Sequence, residues 1–187
     1  MKKNLIAIFP WYSYIFDSFF QYLEIFMQKT LLDSIDETDQ AILSALQQNG
    51  RLTNVQLAQK IGLSESACLR RVRLLEESGV VDKYAMIVNQ TAIGLSGNVF
   101  VRVTLDGQVH EKLSLFEEAV KLIPEVMECY LMSGEVDYVL RVICRDTNDF
   151  TRTHSKLASL PGVLRINSSF TLRTVIKKTE LPIKNRL

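Results

Sequence analysis

The stretch that most constrains this chain is 53–75, TNVQLAQKIGLSESACLRRVRLL. Thr53 followed three residues later by Gln56 has the spacing of a capping box, in which side chain and backbone satisfy each other's free donors at a helix start. Leu57, Ala58 and Ile61 repeat at helical spacing behind it. Gly62 then supplies the residue tolerant of positive φ that a tight turn between two packed helices needs, and Ser64 caps the next helix, which runs to about Ser78 before Gly79. Two short helices joined by a turn follow from these residues alone.

The second of these helices is amphipathic in an unusual way. Cys68, Val72 and Leu75 fall on one stripe at i, i+4 and i+7, Ser66, Arg70 and Arg73 on the opposite stripe, and Ala67 and Arg71 on the flanks. A helix anchored on its apolar side, with small and guanidinium side chains outward, fits the major groove of duplex DNA, where Arg reads guanine edges or grips phosphates and Ser and Ala permit close approach. Ser66, Ala67 and Arg70 are the expected base contacts, with Arg71 and Arg73 on phosphates and Ser64 at the helix start. The competing reading is a solvated face, in which the arginines pair with Glu65, Glu76 and Glu77 at i, i+3 and i+4. The capped helix and glycine turn in front favour the first.

Composition places the basis of any such interaction in a local cluster. The chain of 187 residues carries a formal net charge of +1, so no global field draws a polyanion. Hydrophobic residues at 47% and charged residues at 23% describe a globular protein able to bury a core, and the length suits two small domains. Cys68, Cys129 and Cys144 lack C-x-x-C spacing and sit in apolar surroundings, as reduced core residues of a cytoplasmic protein do; neither a metal nor a cofactor is expected.

Residues 1–27 stand apart, holding more than half of the aromatic residues, among them Phe9, Trp11, Phe16 and Phe20. Lys2 and Lys3 precede an uncharged run from Asn4 to Phe16, shorter than the roughly 20 residues that span a bilayer, so no transmembrane span is expected. Three readings stay open: a leader translated ahead of a natural start at Met27, an amphipathic arm, or an anchor.

From about residue 28 the chain reads as a first domain to residue 90. Asp36 caps a helix to about Gln48, with Glu37 and Asp39 in its first turn and Gly50 just past its end. After Gly79, VVDKYAMIVN alternates as a short strand pair would, a wing from which Lys83 reaches a backbone phosphate. TAIGLSGN, residues 91–98, has the composition of a hinge.

Residues 99–180 predict a second domain, followed by a tail over 181–187. Val99 to Leu105 reads as a strand, Glu111 to Ile123 as a helix closed by Pro124, and Val126 to Met132 and Tyr138 to Cys144 as strands joined by SGEVD. Thr147 to Leu160 reads as a helix ended by Pro161 and Gly162, and Val163 to Lys177 as a final extended segment. The order βαββαβ is the ferredoxin-like arrangement, and the predicted class is α+β: a winged helix-turn-helix followed by that sheet. Such a sheet leaves one face for a partner, and a homodimer supplies it.

Four separated blocks, LDSIDETDQAILSALQQNGR, GLSESACLRRVRLLEESGVV, SGEVDYVLRV and LPGV followed by SSFTL, resemble the Lrp/AsnC transcription regulators over about residues 32–182. The resemblance implies binding of double-stranded DNA, a ligand-sensing second domain, and dimers assembling into tetramers or octamers. It also implies an amino-acid effector held around the G-x-x-D loop, which lands on Gly134, Val136, Asp137 and Tyr138, with Leu160, Pro161, Ser168, Ser169 and Phe170 as neighbours. Asp137 has the chemistry to accept an ammonium, and a glycine turn can offer N–H groups to a carboxylate. The same residues also suit an ordinary hairpin turn. The aromatic-rich start has no counterpart in the family pattern.

Two other functions compete with regulation by an effector. One is an architectural protein that wraps DNA without any effector. The other is an enzyme, since siroheme decarboxylases are similar to this family in build. Against catalysis, the chain has only His110, in a polar loop, and His154, between Phe150 and Leu157 on the expected inner face of a helix, and it shows no nucleophile triad, metal spacing or phosphate loop, so no catalytic residue is assigned.

Overall fold

The computed structural model describes residues 35–183, so the aromatic-rich start and the last four residues of the tail lie outside the described residues. These residues form two compact units, one of 35–85 together with 178–183 and the other of 86–177. None of their helices is long and apolar enough to cross a membrane.

The first unit is built on three capped helices. Helix α1 (Glu37–Gln48) starts at Asp36, whose Oδ1 accepts from the Asp39 N–H at 2.8 Å while Asp39 Oδ2 accepts from the Asp36 N–H at 3.3 Å. Thr53 and Gln56 make the same reciprocal pair at the start of α2 (Asn54–Ile61), and Ser64 Oγ accepts from the Ala67 N–H at the start of α3 (Glu65–Glu77). Each cap satisfies donors that a helix start would otherwise leave unpaired. The α2–α3 turn passes through Gly62 at φ 76°, where a side chain would be strained. Ile42, Ala45, Leu57, Ala58, Cys68 and Leu75 bury between the helices, with Val72, Val80 and Val81 packed against them.

The expected wing does not form. Among the described residues the one sheet belongs to the second unit, and 80–89 contains no strand. The Val81 N–H donates to the Leu75 carbonyl and both valines enter the helical core, after which Met86 and Ile87 are exposed. VVDKYAMIVN holds no Gly or Pro to fold it back on itself, and its alternation finds no partner strand among the described residues. Residues 178–183 return to this unit, where the Gln47 side-chain amide pairs with Leu181 in both directions. The Leu181 N–H donates to Gln47 Oε1 at 2.6 Å, and Gln47 Nε2 donates to the Leu181 carbonyl at 3.2 Å.

The second unit follows the predicted order: β1 (Gly97–Leu105), α4 (His110–Val120), β2 (Val126–Leu131), β3 (Tyr138–Cys144), α5 (Thr147–Ala158) and β4 (Val163–Phe170). The sheet runs β2-β3-β1-β4, antiparallel throughout. Because side chains alternate along a strand, Val99, Val101, Val103 and Leu105 of β1 lie beside Tyr138, Leu140, Val142 and Cys144 of β3 on the buried face. Phe116, Val120, Phe150 and Leu157 of the two helices close over them. Phe100, Arg102 and Arg141 take the other face.

Several boundaries differ from expectation by one to three residues, as where α4 ends at Val120 rather than Ile123, and two others have a direct cause. Strand β4 stops at Phe170 rather than continuing to Lys177, since Phe170 pairs with Val99 near the start of β1 and the partner strand then runs out. Gly97, assigned to the hinge by composition, is the first residue of β1, opposite Cys144. A Cβ there would run into Cys144 Sγ and stand 2.9 Å from the Cys144 carbonyl oxygen, so close approach of two strands explains this glycine. Gly97→Ala is expected to destabilise the second unit by about 1–3 kcal/mol through overpacking, measurable as a lowered midpoint in urea unfolding.

Candidate nucleic-acid interface and ligand site

Helix α3 presents the stripe that the sequence predicts. Ser66, Arg70 and Arg73 are exposed, Cys68 and Leu75 are buried opposite, and Ala67 is half-buried at the flank. The solvated-face reading required ion pairs with Glu65, Glu76 and Glu77. Among the described ion pairs neither Arg70 nor Arg73 takes part, while Glu76 accepts instead from the Tyr84 hydroxyl at 2.9 Å. Burial, followed by that bond to Glu76, pushes the Tyr84 hydroxyl up to about 12. Two guanidinium groups are therefore left, among the described residues, without an ion-paired carboxylate on an exposed helix face. Ser66 Oγ lies 3.3 Å from Ser64 Oγ, so the two hydroxyls share a hydrogen bond at the helix start.

Arg71 and Lys83 are placed otherwise than expected. The Arg71 guanidinium turns toward α1, its Nη1 donating to Asp36 Oδ2 and to Asp39 Oδ1, both at 2.8 Å. The hydrogen bonds to Asp39 and Asp36 raise its pKa further. Asp36 is held below its ordinary value, chiefly by the Asp39 N–H; desolvation opposes this and the bond to Arg71 adds to it. Arg71 is thus not available for a phosphate in this arrangement. Its position was a signal: three residues after Cys68 and four before Leu75, it borders the buried stripe, within reach of a neighbouring helix. Lys83 Nζ is exposed 3.7 Å from Asp82 Oδ2, and without a wing no hairpin aims it.

The residues expected around an effector divide between the two ends of the sheet. Asp137 is buried, its Oδ2 accepting from the Leu105 N–H at 2.7 Å and its Oδ1 from Gln108 Nε2 at 2.6 Å. Gly162 lies at the same end, its carbonyl accepting from the Asp106 N–H, so Leu160 and Pro161 are close by. Ser168 and Phe170 instead pair with Val101 and Val99, and from Val99 to Leu105 a strand advances about 20 Å. Ser169 pairs with Phe100 there, facing away from the helices.

Tyr138 belongs to the core: it is 1% exposed, its ring lies 4.6 Å from that of Phe116, and its hydroxyl donates to Glu117 Oε1 at 2.8 Å. Burial comes first in driving its ionisation far above the ordinary range. Gly134 is exposed, with open space where a Cβ would stand, and Val136 is half-buried. Of the expected set, then, Gly134, Val136, Leu160 and Pro161 remain at the sheet end that Asp137 organises.

The remaining titratable candidates have structural surroundings. His154 is half-buried with its ring 5.9 Å from Phe150, and His110 is exposed as the first residue of α4. Burial, with the nearby Glu117, pushes the Cys129 thiol up to about 11, which leaves it a poor nucleophile. No cluster of three metal-ligating residues occurs among the described residues.

Residues 35–82 match the family described as winged helix-turn-helix DNA-binding, and residues 98–181 match the Lrp/AsnC ligand binding domain. A DNA-binding helix domain joined to a ligand-binding domain defines a one-chain transcription regulator. The chain is 38% identical over 150 residues to the Bkd operon transcriptional regulator of Pseudomonas aeruginosa, covering 80% of this chain and 98% of that one. It is 35% identical to the leucine-responsive regulatory protein of Escherichia coli, covering 81% and 93%. A transcriptional regulator of Neisseria meningitidis, solved in complex with L-Met, superposes with a TM-score of 0.78 at 37% identity, covering 82% of this chain and all of that one. The chain belongs to the Lrp/AsnC family of transcription regulators.

Replacing Asp137 tests whether it is a structural residue as the geometry implies. Asp137→Ala leaves the Leu105 N–H buried without its acceptor and is expected to lower stability by about 1–3 kcal/mol in thermal or urea unfolding with no effector present. An unchanged midpoint would mean that the carboxylate is held for a ligand alone.

Proposed function

We propose that the protein is a homo-oligomer that reads pseudo-palindromic duplex DNA with α3 of paired protomers and whose assembly responds to a small effector, an amino acid. The observation that carries the DNA-binding part is the stripe of Ser66, Arg70 and Arg73, exposed and free of protein carboxylates on a helix whose opposite side is buried. Ser66, Ala67 and Arg70 make base contacts in this reading and Arg73 a phosphate contact. Arg71 is left out of the contact set. With a formal net charge of +1 a single headpiece attracts DNA weakly, so pairing through the second unit supplies affinity by multivalency.

Support for an amino-acid effector comes from the L-Met complex of the Neisseria meningitidis relative and from the exposed Gly134 turn. The site in this reading uses the backbone of the 133–136 turn, with Leu160 and Pro161, while Asp137 fixes the loop that carries it. Binding that favours one assembly over another would alter the spacing of the DNA-binding helices. Cytoplasmic location accords with such a role. Regulation, rather than catalysis, is the activity the site supports.

Selection of duplexes from a random pool with the full chain, followed by titration at several salt concentrations, tests the first part. Arg70→Ala is expected to reduce discrimination by about 1–3 kcal/mol, and Arg73→Ala to weaken all duplexes alike and reduce the salt slope by about one phosphate contact. Failure of the chain to enrich any sequence would overturn the reading. Sedimentation with L-methionine and L-leucine tests the second part, where an unchanged assembly and unchanged DNA affinity would leave an effector-independent architectural protein.

A further inference from the structure

We propose that Arg71 is a positioning residue for DNA reading: its guanidinium locks α3 to the start of α1 and sets the orientation from which Ser66, Ala67 and Arg70 address the duplex. The inference rests on the DNA-binding role of α3 and adds how that helix is aimed.

Apolar contact alone does not aim a helix closely. The stripe of Cys68, Val72 and Leu75 is held by non-directional burial, which tolerates small rotations about the helix axis. Three polar ties remove that freedom, each to a different element. Asn54 Nδ2, in the first turn of α2, donates to the Glu65 carbonyl at 2.9 Å. Tyr84 reaches Glu76 near the other end of α3. Arg71 acts between them and ties α3 to the start of α1.

The Arg71 tie is also the most directional. One nitrogen, Nη1, reaches Asp36 Oδ2 and Asp39 Oδ1 at 2.8 Å each, and those same carboxylates cap α1 by accepting from each other's backbone N–H. Turning α3 by a fraction of a residue would break both charge-assisted bonds at once. The Arg71 and Asp39 side chains are only 25% and 12% exposed, so solvent screens this pair less than a fully exposed one. Two carboxylates around one guanidinium leave the spot with a surplus negative charge, which repels a phosphate. Arg70 and Arg73 make no ion pair among the described residues. Within one run of arginines, then, two are free to meet DNA and one is spent on holding the helix.

The two roles give opposite results on discrimination. The full-length parent and its variants are titrated with the duplex that the parent enriches from a random pool and with a duplex of random sequence, across a range of KCl concentrations. Arg71→Lys keeps a positive charge but replaces the rigid planar group whose Nη1 meets both carboxylates with a flexible ammonium. It is expected to lower the ratio of selected to random affinity roughly tenfold, about the worth of one base contact, and to leave the salt slope unchanged. Asp39→Asn is expected to lower the same ratio, although it removes a negative charge close to the DNA.

A phosphate contact would behave otherwise. Arg71→Lys would then keep the ratio, Arg71→Ala would reduce the salt slope by about one contact, and Asp39→Asn would strengthen binding to both duplexes with the ratio unchanged. Any of these three results overturns the proposal. Should Arg71→Ala fail to fold, as judged by circular dichroism, the Lys and Asp39→Asn variants decide the question without it. A parent that discriminates while the variants discriminate equally well refutes the positioning role alone, whereas a parent that enriches nothing removes the DNA-binding reading itself.

Discussion

Cys68, Val72 and Leu75 must leave water for α3 to be ordered at all, and that burial forces Ser66, Arg70 and Arg73 outward on the other side of the same helix. One side of the helix provides the stability that the other needs in order to present charge. The capped starts of α1, α2 and α3 support this by satisfying terminal donors close to the packed core, and Gly62 lets the chain turn without strain between two of them. Burial decides which face points outward but not the angle about the helix axis. Polar bonds tie the helix to α1, α2 and Tyr84, and these are directional where hydrophobic contact is not.

A similar division of labour holds in the second unit. Strand β1 is paired on both edges and contributes four buried side chains, so β3 and β4 take their registers from it. At its end the ladder stops, and the Leu105 N–H finds its acceptor in the side chain of Asp137. A buried carboxylate with two hydrogen bonds holds the turn around Gly134 to the end of the sheet. Asp137 braces the turn at the sheet end, much as Arg71 ties α3 to the start of α1.

The pieces legible beforehand were those with a local cause. Capping boxes, glycine stops and periodic patterns placed the nine elements of the described residues, because each depends on residues within a few positions of one another. Residue type points Arg71 to a phosphate, and the family resemblance points Asp137 to an ammonium, the partners that free groups of that charge seek. Both turned out to be engaged by groups 29 to 35 residues away in the chain. No spacing rule joins Arg71 to Asp36 until α1 and α3 are packed side by side. The wing failed for a related reason, since alternation shows that a segment can be a strand and says nothing of whether a partner edge exists.

By itself, then, the sequence determined the family, the order of elements, the buried stripe of each and the outward placement of Ser66, Arg70 and Arg73. Only the tertiary structure decided which charged groups stay available, placed Tyr138 in the core, separated Ser168 and Phe170 from the Asp137 end of the sheet, and traced Gly97 to the approach of Cys144. Periodicity reports the face on which a side chain lies. Its partner is a matter of distance in space, which exists only once the elements have packed.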